Sequence, residues 1–580
     1  MLNRKNFTRE WVFLLLILII NIILVSPRFM VSFDEINAFD EAKYIDSGRS
    51  LTLLEVRDIS WAPLVALIYA PMHLVLRSNP DWFMLEAWVG RLVMYALIWM
   101  STLFLASRLR KFAHPFITAG VLFTTVAIFP IFENQSDVLF IIISASALAV
   151  IYSILKNNRL RDIRIASVLL GLAVLARFEA ILTLCAVALF IVLLEWKRLP
   201  RLKVVASVLL PAIGVLLCYL VLYWSSIGRI KLEVGAKAWT AFENNQPILM
   251  EGSAPILTEG AGSGSSEETQ RIFGTREENQ GSVIKAISRN PFAFAQRVFI
   301  NILHLPEYFL VFFGKRQGPI FLLLALVGLQ KLLREREFPF LMAIALWSIP
   351  AVISLGFLSR HFIPQMTPIL LIFSALGLAA IYDISPRSIR KTAFLIILIL
   401  FMIYAWVDTK PAFLVAGFVF GAATLLILVL DIAAKPDQLG ITTSFMFILA
   451  AGIILRGPYR FPDMPRVGES PREQVVHYLQ ESFPKGSKIF SRVPLTVLAA
   501  EMIDVHSRDI DIGTNIQSGE DLAAALQAED IKAIILDPIY PFSPGQINAY
   551  FEQGIGEYFE LGFRDDSGTL KILILLDSIR

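Results

Sequence analysis

The chain has 580 residues, of which 56% are hydrophobic and only 17% charged, and its mean hydropathy is +0.64. A soluble protein of this length carries about 25% charged residues, so the composition excludes an ordinary soluble protein. The net charge of +3 speaks against a nucleic-acid partner, and two cysteines inside apolar segments, Cys185 and Cys218, exclude a disulfide framework.

Apolar segments recur along the whole chain, and most are long enough to cross a hydrocarbon core of roughly 30 Å. The sequence predicts an α-helical polytopic membrane protein with thirteen spans, at residues 12–27, 88–107, 115–132, 138–155, 165–177, 179–195, 204–226, 318–333, 339–357, 363–382, 392–408, 411–433 and 441–456. The pair 165–177 and 179–195 is short, which indicates a kinked or tilted hairpin. No small-residue cleavage site follows the first segment, which favours a retained span over a signal peptide.

Lysine and arginine concentrate in the short connections on one side of these spans, such as 156–164 and 197–203. The short tips on the other side hold Arg177, Arg360 and Lys410. By the positive-inside rule the N-terminus is cytoplasmic, and thirteen crossings place the C-terminus outside. The chain ends without a retention signal, which favours the plasma (inner) membrane.

Three longer pieces fall on the outer side: loop 28–87, loop 227–317 and the tail 457–580. In the second loop, the Gly- and Ser-rich stretch Gly252–Gly281 is expected to be mobile. In the tail, predicted helices alternate with predicted strands, which is typical of a small α/β domain. The helices are Pro471–Phe483, Ser518–Gln527 and Pro544–Gln553, and the strands begin at Lys488, Ala533 and Leu570. The sequence therefore predicts a transmembrane domain over 1–456 and an extracytoplasmic α/β domain over 457–580.

The first outer loop concentrates carboxylates directly after a span. Within thirteen residues it carries Asp34, Glu35, Asp40, Glu41 and Asp46. If residues 39–52 form a helix, Asp40, Tyr44 and Ser47 share one face. Glycosyl transfer needs a carboxylate that takes the acceptor's proton, and a lipid-borne sugar reaches such a group at the membrane surface. The alternative is a solvated acidic face on an interfacial helix.

The segment Asp40-Glu-Ala-Lys-Tyr44, followed by Gly48, resembles the Asp-Glu-x-x-Tyr motif in the first outer loop of GT-C glycosyltransferases. That superfamily includes protein O-mannosyltransferases and lipid A aminoarabinose transferases. The resemblance implies sugar transfer from a polyprenyl-phosphate donor to an extracytoplasmic acceptor, with Asp40 as catalytic base, Glu41 beside it and Tyr44 in support. Pro63 matches the proline that opens the second loop helix, but the Lys-Pro-Pro of aminoarabinose transferases is absent, which argues against their substrate.

Asp34 and Glu35 form a rival pair of candidates for the catalytic base, six residues before Asp40 and Glu41. Glu133 and Asp137, at the second outer tip, resemble the superfamily's second acidic motif, which serves the acceptor, the donor sugar or a metal. Asp40 and Asp137 are the pair able to hold a divalent ion, although many relatives need none. A polar loop tip without such a role is the alternative.

The hairpin Gly171-Leu-Ala-Val-Leu-Ala-Arg177-Phe-Glu179 resembles a further superfamily motif. Two charges within an apolar stretch are costly unless they pair or bind something. The alternatives are therefore a mutual salt bridge between Arg177 and Glu179, or contact with donor or acceptor.

The segment Leu358-Ser-Arg360-His361-Phe-Ile-Pro364-Gln-Met-Thr-Pro368 resembles the late Arg-Tyr-x-x-Pro-x-x-Pro motif, with His361 in the tyrosine's place. The leaving group is a polyprenyl phosphate, and a guanidinium such as that of Arg360 is a two-pronged donor for phosphate. The alternative for Arg360 is a side chain that reaches the lipid headgroups.

Other functions remain open at this point. A secondary transporter places its charged site near the bilayer midplane, whereas the candidate charges here lie at one face. A polysaccharide polymerase or ligase is typically built around a large late loop with arginines, and loop 227–317 carries several. A non-enzymatic scaffold has no need of Asp40 or Arg360.

Overall fold

A computed structural model describes most of the first half of the chain and most of its C-terminal part. The described residues are 33–36, 40–53, 63–79, 81–108, 135–157, 159–177, 180–195, 200–227, 239, 242–243, 263–303, 318–354, parts of 366–380, 470–505, 516, 518–539, 542, 546–566 and 568–576. The predicted spans 12–27, 115–132, 392–408, 411–433 and 441–456 lie outside these residues, and span 363–382 lies within them only in part.

The first outer loop contributes a short 3-10 helix, Phe33–Glu35, and two α-helices, α1 (Asp40–Thr52) and α2 (Pro63–Leu76). Helix α1 confirms the helix predicted over 39–52. Helix α2 begins at Pro63, as predicted, because proline's missing N–H is unneeded in the first turn of a helix.

The apolar segments form helices whose bounds agree closely with the predicted spans. They are α3 (Trp82–Arg108), α4 (Gln135–Asn157), α5 (Leu160–Ala176), α6 (Ala180–Glu195), α7 (Arg201–Ile227), α11 (Gly318–Arg334) and α12 (Phe338–Ser354). Among the described residues, three stretches are long and apolar enough to cross a membrane: Trp82–Ser101, Ser136–Asn157 and Arg201–Ser225.

Helices α5 and α7 pack closely through small residues. A Cβ at Gly171 would lie 3.1 Å from the Cα of Ala212, so a larger residue would separate the two helices. Pro211 interrupts the hydrogen bonds of α7. The hydroxyl of Ser167 bridges this interruption: it donates to the Val208 carbonyl and accepts from the Ala212 N–H at 3.0 Å.

The second outer loop contains α8 (Ser263–Phe273), α9 (Val283–Arg289) and α10 (Pro291–Leu303). Trp239, Phe242 and Phe273 form a small buried cluster there. Within the stretch expected to be mobile, residues 263–273 form a helix, and the mobility itself stays a prediction. Burial of Phe273 and a hydrogen bond of 2.9 Å from the Thr269 hydroxyl to the Glu243 carbonyl hold this helix against the cluster.

The C-terminal part is an α/β fold. Its helices are α13 (Pro471–Ser482), α14 (Pro494–Ala499), α15 (Gly519–Ala528) and α16 (Gln546–Gln553). Its strands are β1 (Lys488–Phe490), β2 (Ile503–Val505), β3 (Ile531–Leu536), β4 (Phe559–Arg564) and β5 (Lys571–Leu575). The five strands form one sheet in the order β2-β1-β3-β5-β4, parallel across β2, β1 and β3 and antiparallel from β3 onward. All three predicted helices and all three predicted strands are confirmed.

Candidate active site

Glu41 forms a buried, two-pronged ion pair with Arg91 of α3. Arg91 Nε lies 2.8 Å from Glu41 Oε1, and Arg91 Nη2 lies 2.6 Å from Glu41 Oε2. The guanidinium therefore engages both carboxylate oxygens, a geometry that is stronger than a single contact. This pair fixes the first turn of α1 against α3. Sequence reasoning missed Arg91, although an arginine inside an apolar span is a signal for such a partner.

Asp40 is the first residue of α1, directly before Glu41, and is half-buried. The N-terminus of a helix carries a partial positive charge, which stabilises a carboxylate at that position. One turn later, Tyr44 is buried, and the Ser47 hydroxyl donates to the Lys43 carbonyl at 2.7 Å. The carboxylate of Asp40 is thus held on a helix whose next turn is packed into the core.

Helices α1 and α2 cross in close contact at Gly48. A Cβ at that position would collide with the Cβ of Tyr69 and would lie 3.0 Å from the Tyr69 carbonyl carbon. Tyr69 is itself fully buried, and its hydroxyl fills the space beside Gly90 of α3. Glycine at 48 and 90 therefore allows α1, α2 and α3 to pack around one tyrosine.

Two further polar pairs lie on α1 and between α2 and α3. Arg49 donates to Asp46 at 2.6 Å, and His73 Nδ1 lies 2.8 Å from Oε1 of the fully buried Glu86. Burial lowers the pKa of His73 below its usual value, and the nearby Arg49 guanidinium lowers it further. The imidazole therefore favours its neutral form, which forms a hydrogen bond between α2 and α3.

Asp137 and Arg177 form an ion pair with each other. Asp137 lies in the first turn of α4 and Arg177 follows the last residue of α5, so the pair joins two segments that the sequence singled out separately. The sequence left two alternatives open for Arg177: a salt bridge with Glu179, or contact with donor or acceptor. The structure adds Asp137 as a further partner, which sequence spacing does not reveal. Glu133 and Glu179 lie outside the residues whose side chains the structure describes.

The rival carboxylate Asp34 lies near Arg472 of helix α13. Its Oδ1 lies 4.0 Å from Arg472 Nε, and Arg472 Nη2 lies 3.1 Å from Asp537 Oδ2. Arg472 and Asp537 are both buried, whereas Asp34 is exposed. Nothing is described of the Glu35 side chain, and Arg360 and His361 lie outside the described residues, so their roles stay predictions.

No cluster of three or more His, Cys, Asp or Glu side chains is placed to hold a metal ion within the part of the chain that the structure describes. Asp137, one of the two predicted metal ligands, has the Arg177 guanidinium as its neighbour. A divalent cation at this carboxylate would have to displace or repel that guanidinium. Asp137 in this arrangement therefore does not fit a metal site.

The chain matches no family model, and no curated protein matches its sequence. Among solved structures, it is similar to apo ArnT, an aminoarabinose transferase, from Cupriavidus metallidurans, with a TM-score of 0.53 and 13% identity over 98% of this chain and 99% of that chain. It is also similar to the oligosaccharyltransferase AglB from Archaeoglobus fulgidus in complex with an inhibitory peptide and a dolichol-phosphate, with a TM-score of 0.45 and 12% identity over 99% of this chain and 75% of that chain. Both are members of the GT-C superfamily. The likeness to ArnT confirms the GT-C fold that the sequence resemblance implies.

Proposed function

We propose that this protein is a membrane glycosyltransferase that moves a sugar from a polyprenyl-phosphate donor to an extracytoplasmic acceptor. The observation that carries the proposal is the acidic helix α1: a carboxylate at its N-terminus, anchored by the pair Glu41–Arg91, within a GT-C fold. A fixed carboxylate of this kind is what proton removal from an acceptor requires.

The reaction we propose is a single displacement with inversion. Asp40 accepts the proton of the acceptor hydroxyl or amine as that group attacks the anomeric carbon. The new bond forms on one side of the sugar while the bond from the anomeric carbon to the phosphate oxygen breaks on the other. The polyprenyl phosphate leaves with the bonding electrons and needs no protein acid, because phosphate is already a good leaving group.

Arg360 is the proposed cation for the donor phosphate, since a guanidinium stabilises the charge that develops on the leaving group. Arg177 is the second candidate. Its ion pair with Asp137 supports a role in which the two residues act together, with Asp137 orienting the guanidinium. Glu41 then serves as the anchor of the helix rather than as a second base.

The membrane arrangement belongs to the same proposal. We propose thirteen spans in the plasma membrane, with a cytoplasmic N-terminus and with loops 28–87 and 227–317 and the C-terminal domain outside. The positive-inside pattern of lysine and arginine supports it. The proposed donor sugar is not aminoarabinose, because the Lys-Pro-Pro segment of aminoarabinose transferases is absent after α1.

The test is sugar transfer by the purified protein from a panel of radiolabelled polyprenyl-phosphate sugars, with an envelope extract as acceptor. The variant Asp40→Asn should lose about 10²- to 10⁴-fold in rate, the usual contribution of a general base. The matched control is Asp81→Asn, an exposed aspartate just before α3, which should leave the rate unchanged.

If Asp40→Asn keeps full activity, Asp40 is not the base and Asp34→Asn becomes the variant to measure. If the wild-type protein turns over no donor in the panel, the glycosyltransferase proposal fails. A transporter or a polysaccharide polymerase would then account better for the sequence.

A further inference from the structure

The C-terminal α/β fold shares one hydrophobic core with the acidic loop, by which we mean residues 33–36 and 40–52 of the first outer loop. The 3-10 helix Phe33–Glu35 packs against α13, and α1 packs against α14. All six residues of α14 are buried, and its Leu495 and Leu498 belong to the same continuous cluster as Tyr44 and Ile45 of α1. The C-terminal fold therefore covers the helix that carries Asp40.

The contact lies at the carboxyl edge of the parallel strands. Strands β1 and β3 end at Phe490 and Leu536, and Asp537 follows directly after β3. In open α/β sheets, this edge is where functional groups usually gather. Here the group facing it is the acidic loop of the membrane domain.

Arg472 is a polar link across this contact, and its backbone position is well defined. It lies in the first turn of α13, where Ser470 and Glu473 form a capping box: the Ser470 hydroxyl accepts from the Glu473 N–H at 3.2 Å, and the Glu473 carboxylate accepts from the Ser470 N–H at 2.7 Å. Asp537 also accepts from the Ile539 N–H at 2.9 Å. A fixed backbone and a fixed carboxylate thus direct the guanidinium toward Asp34.

We propose that Arg472 is a positioning residue through which the C-terminal fold holds the acidic loop, and with it Asp40, in its working position. The proposal rests on the proposed function above. Arg472 contacts Asp34 and Asp537 rather than the reacting atoms, so it acts through the loop. Because Arg472 is buried, its replacement by a neutral residue leaves Asp537 in a buried site without this cation, which loosens the contact.

The experiment compares Arg472→Gln with wild type by hydrogen exchange and by kinetics. Amides of residues 40–52 should exchange faster in the variant, while amides of β3 keep their protection and show that the C-terminal fold is intact. The value of kcat should fall about tenfold, within the ~10²-fold that a 1 Å misplacement can cause. The KM for the donor should stay unchanged, and Arg472→Lys, which keeps the charge, should recover part of kcat.

The matched control is Lys532→Gln. Lys532 pairs with Asp530 at the opposite end of β3, with 2.6 Å between Nζ and Oδ1. This substitution removes a charge from the same sheet without touching the acidic loop, so exchange of residues 40–52 and kcat should match wild type.

Unchanged exchange of residues 40–52 in Arg472→Gln overturns the proposal, whatever the activity. Faster exchange with unchanged kcat also overturns it, because the loop would then be held without consequence for catalysis. If exchange rises but the wild type transfers no sugar, the docking role of Arg472 stands and the proposed function fails separately.

Discussion

A carboxylate and a guanidinium that are buried together depend on each other. Breaking such a pair by removing one charge costs about 3–5 kcal/mol, because the remaining charge stays buried without its partner. Glu41 and Arg91 are both buried, and both oxygens of the carboxylate are engaged. Loss of either charge should therefore release the first turn of α1, where Asp40 lies.

We expect Glu41→Gln to lower the free energy of unfolding by about 3–5 kcal/mol. Thermal unfolding in detergent, followed by tryptophan fluorescence, measures the change as a lower midpoint. The matched control is Glu268→Gln, which breaks a pair of 2.6 Å with the exposed Arg271. Such an exposed pair contributes about 0–1 kcal/mol, so that midpoint should barely move. Equal midpoints for both variants would show that Glu41 is not an anchor.

At this scale the sequence singles out candidate groups but does not reveal which of them meet. Asp40 and Glu41 are recognisable from their motif, and the helix they open is confirmed. The partner of Glu41 lies fifty positions away on another helix, so no local pattern reveals it. The same holds for Asp137 and Arg177, which come together because α4 and α5 pack side by side.

At the scale of elements, the close crossing of α1 and α2 depends on the absence of a Cβ at Gly48. We expect Gly48→Ala to destabilise the protein by about 1–3 kcal/mol, the usual penalty for overpacking. The atoms in the way are the Cβ and backbone of Tyr69 rather than a flexible side-chain tip, so a helix has to move. That movement shifts α1, and sugar transfer should fall together with the unfolding midpoint.

The control for Gly48→Ala is Gly214→Ala in α7. Gly214 also lies inside a helix, but a Cβ there meets nothing within 4 Å. Alanine is favoured over glycine in a helix by about 1 kcal/mol, so this variant should be as stable as wild type or slightly more so. If both alanine variants behave alike, close packing at Gly48 is not what holds the two helices.

Long apolar helices were predictable to within about six residues at either end, whereas several short elements were missed. Strand β2 has three residues and α14 has six, so neither displays enough of a repeat to identify its type. Strand β4 was also missed, because Glu560, Leu561 and Gly562 interrupt the apolar pattern of an edge strand. Helix α14 packs against α1, and only its complete burial makes this contact evident.

At the scale of the whole molecule, composition and charge bias predict a membrane protein and its orientation, but the assembly of its parts follows from contacts between distant segments. The order β2-β1-β3-β5-β4 and the docking of α13 and α14 on the first outer loop have no local signature. Pairing residues so far apart closes long loops, and only the packed core repays that loss of entropy. The GT-C fold itself was recognisable because four motifs occur in the expected order.

Orientation can be measured with single cysteines in a background lacking the two native ones. Cys185→Ala and Cys218→Ala remove both native cysteines, which lie exposed on the apolar helices α6 and α7.

A cysteine at Ser288 of α9 or at Glu552 of α16 should react with a membrane-impermeant maleimide in intact cells, because both exposed positions are proposed to lie outside. A cysteine at Glu335, between α11 and α12, should react only after the membrane is opened. The positive charges of Lys331, Arg334 and Arg336 predict that this turn is cytoplasmic. Labelling of the Glu335 position in intact cells, or protection of the other two, would reverse the proposed orientation. Such a reversal would also move Asp40 to the cytoplasmic side, where an acceptor outside the cell is out of reach.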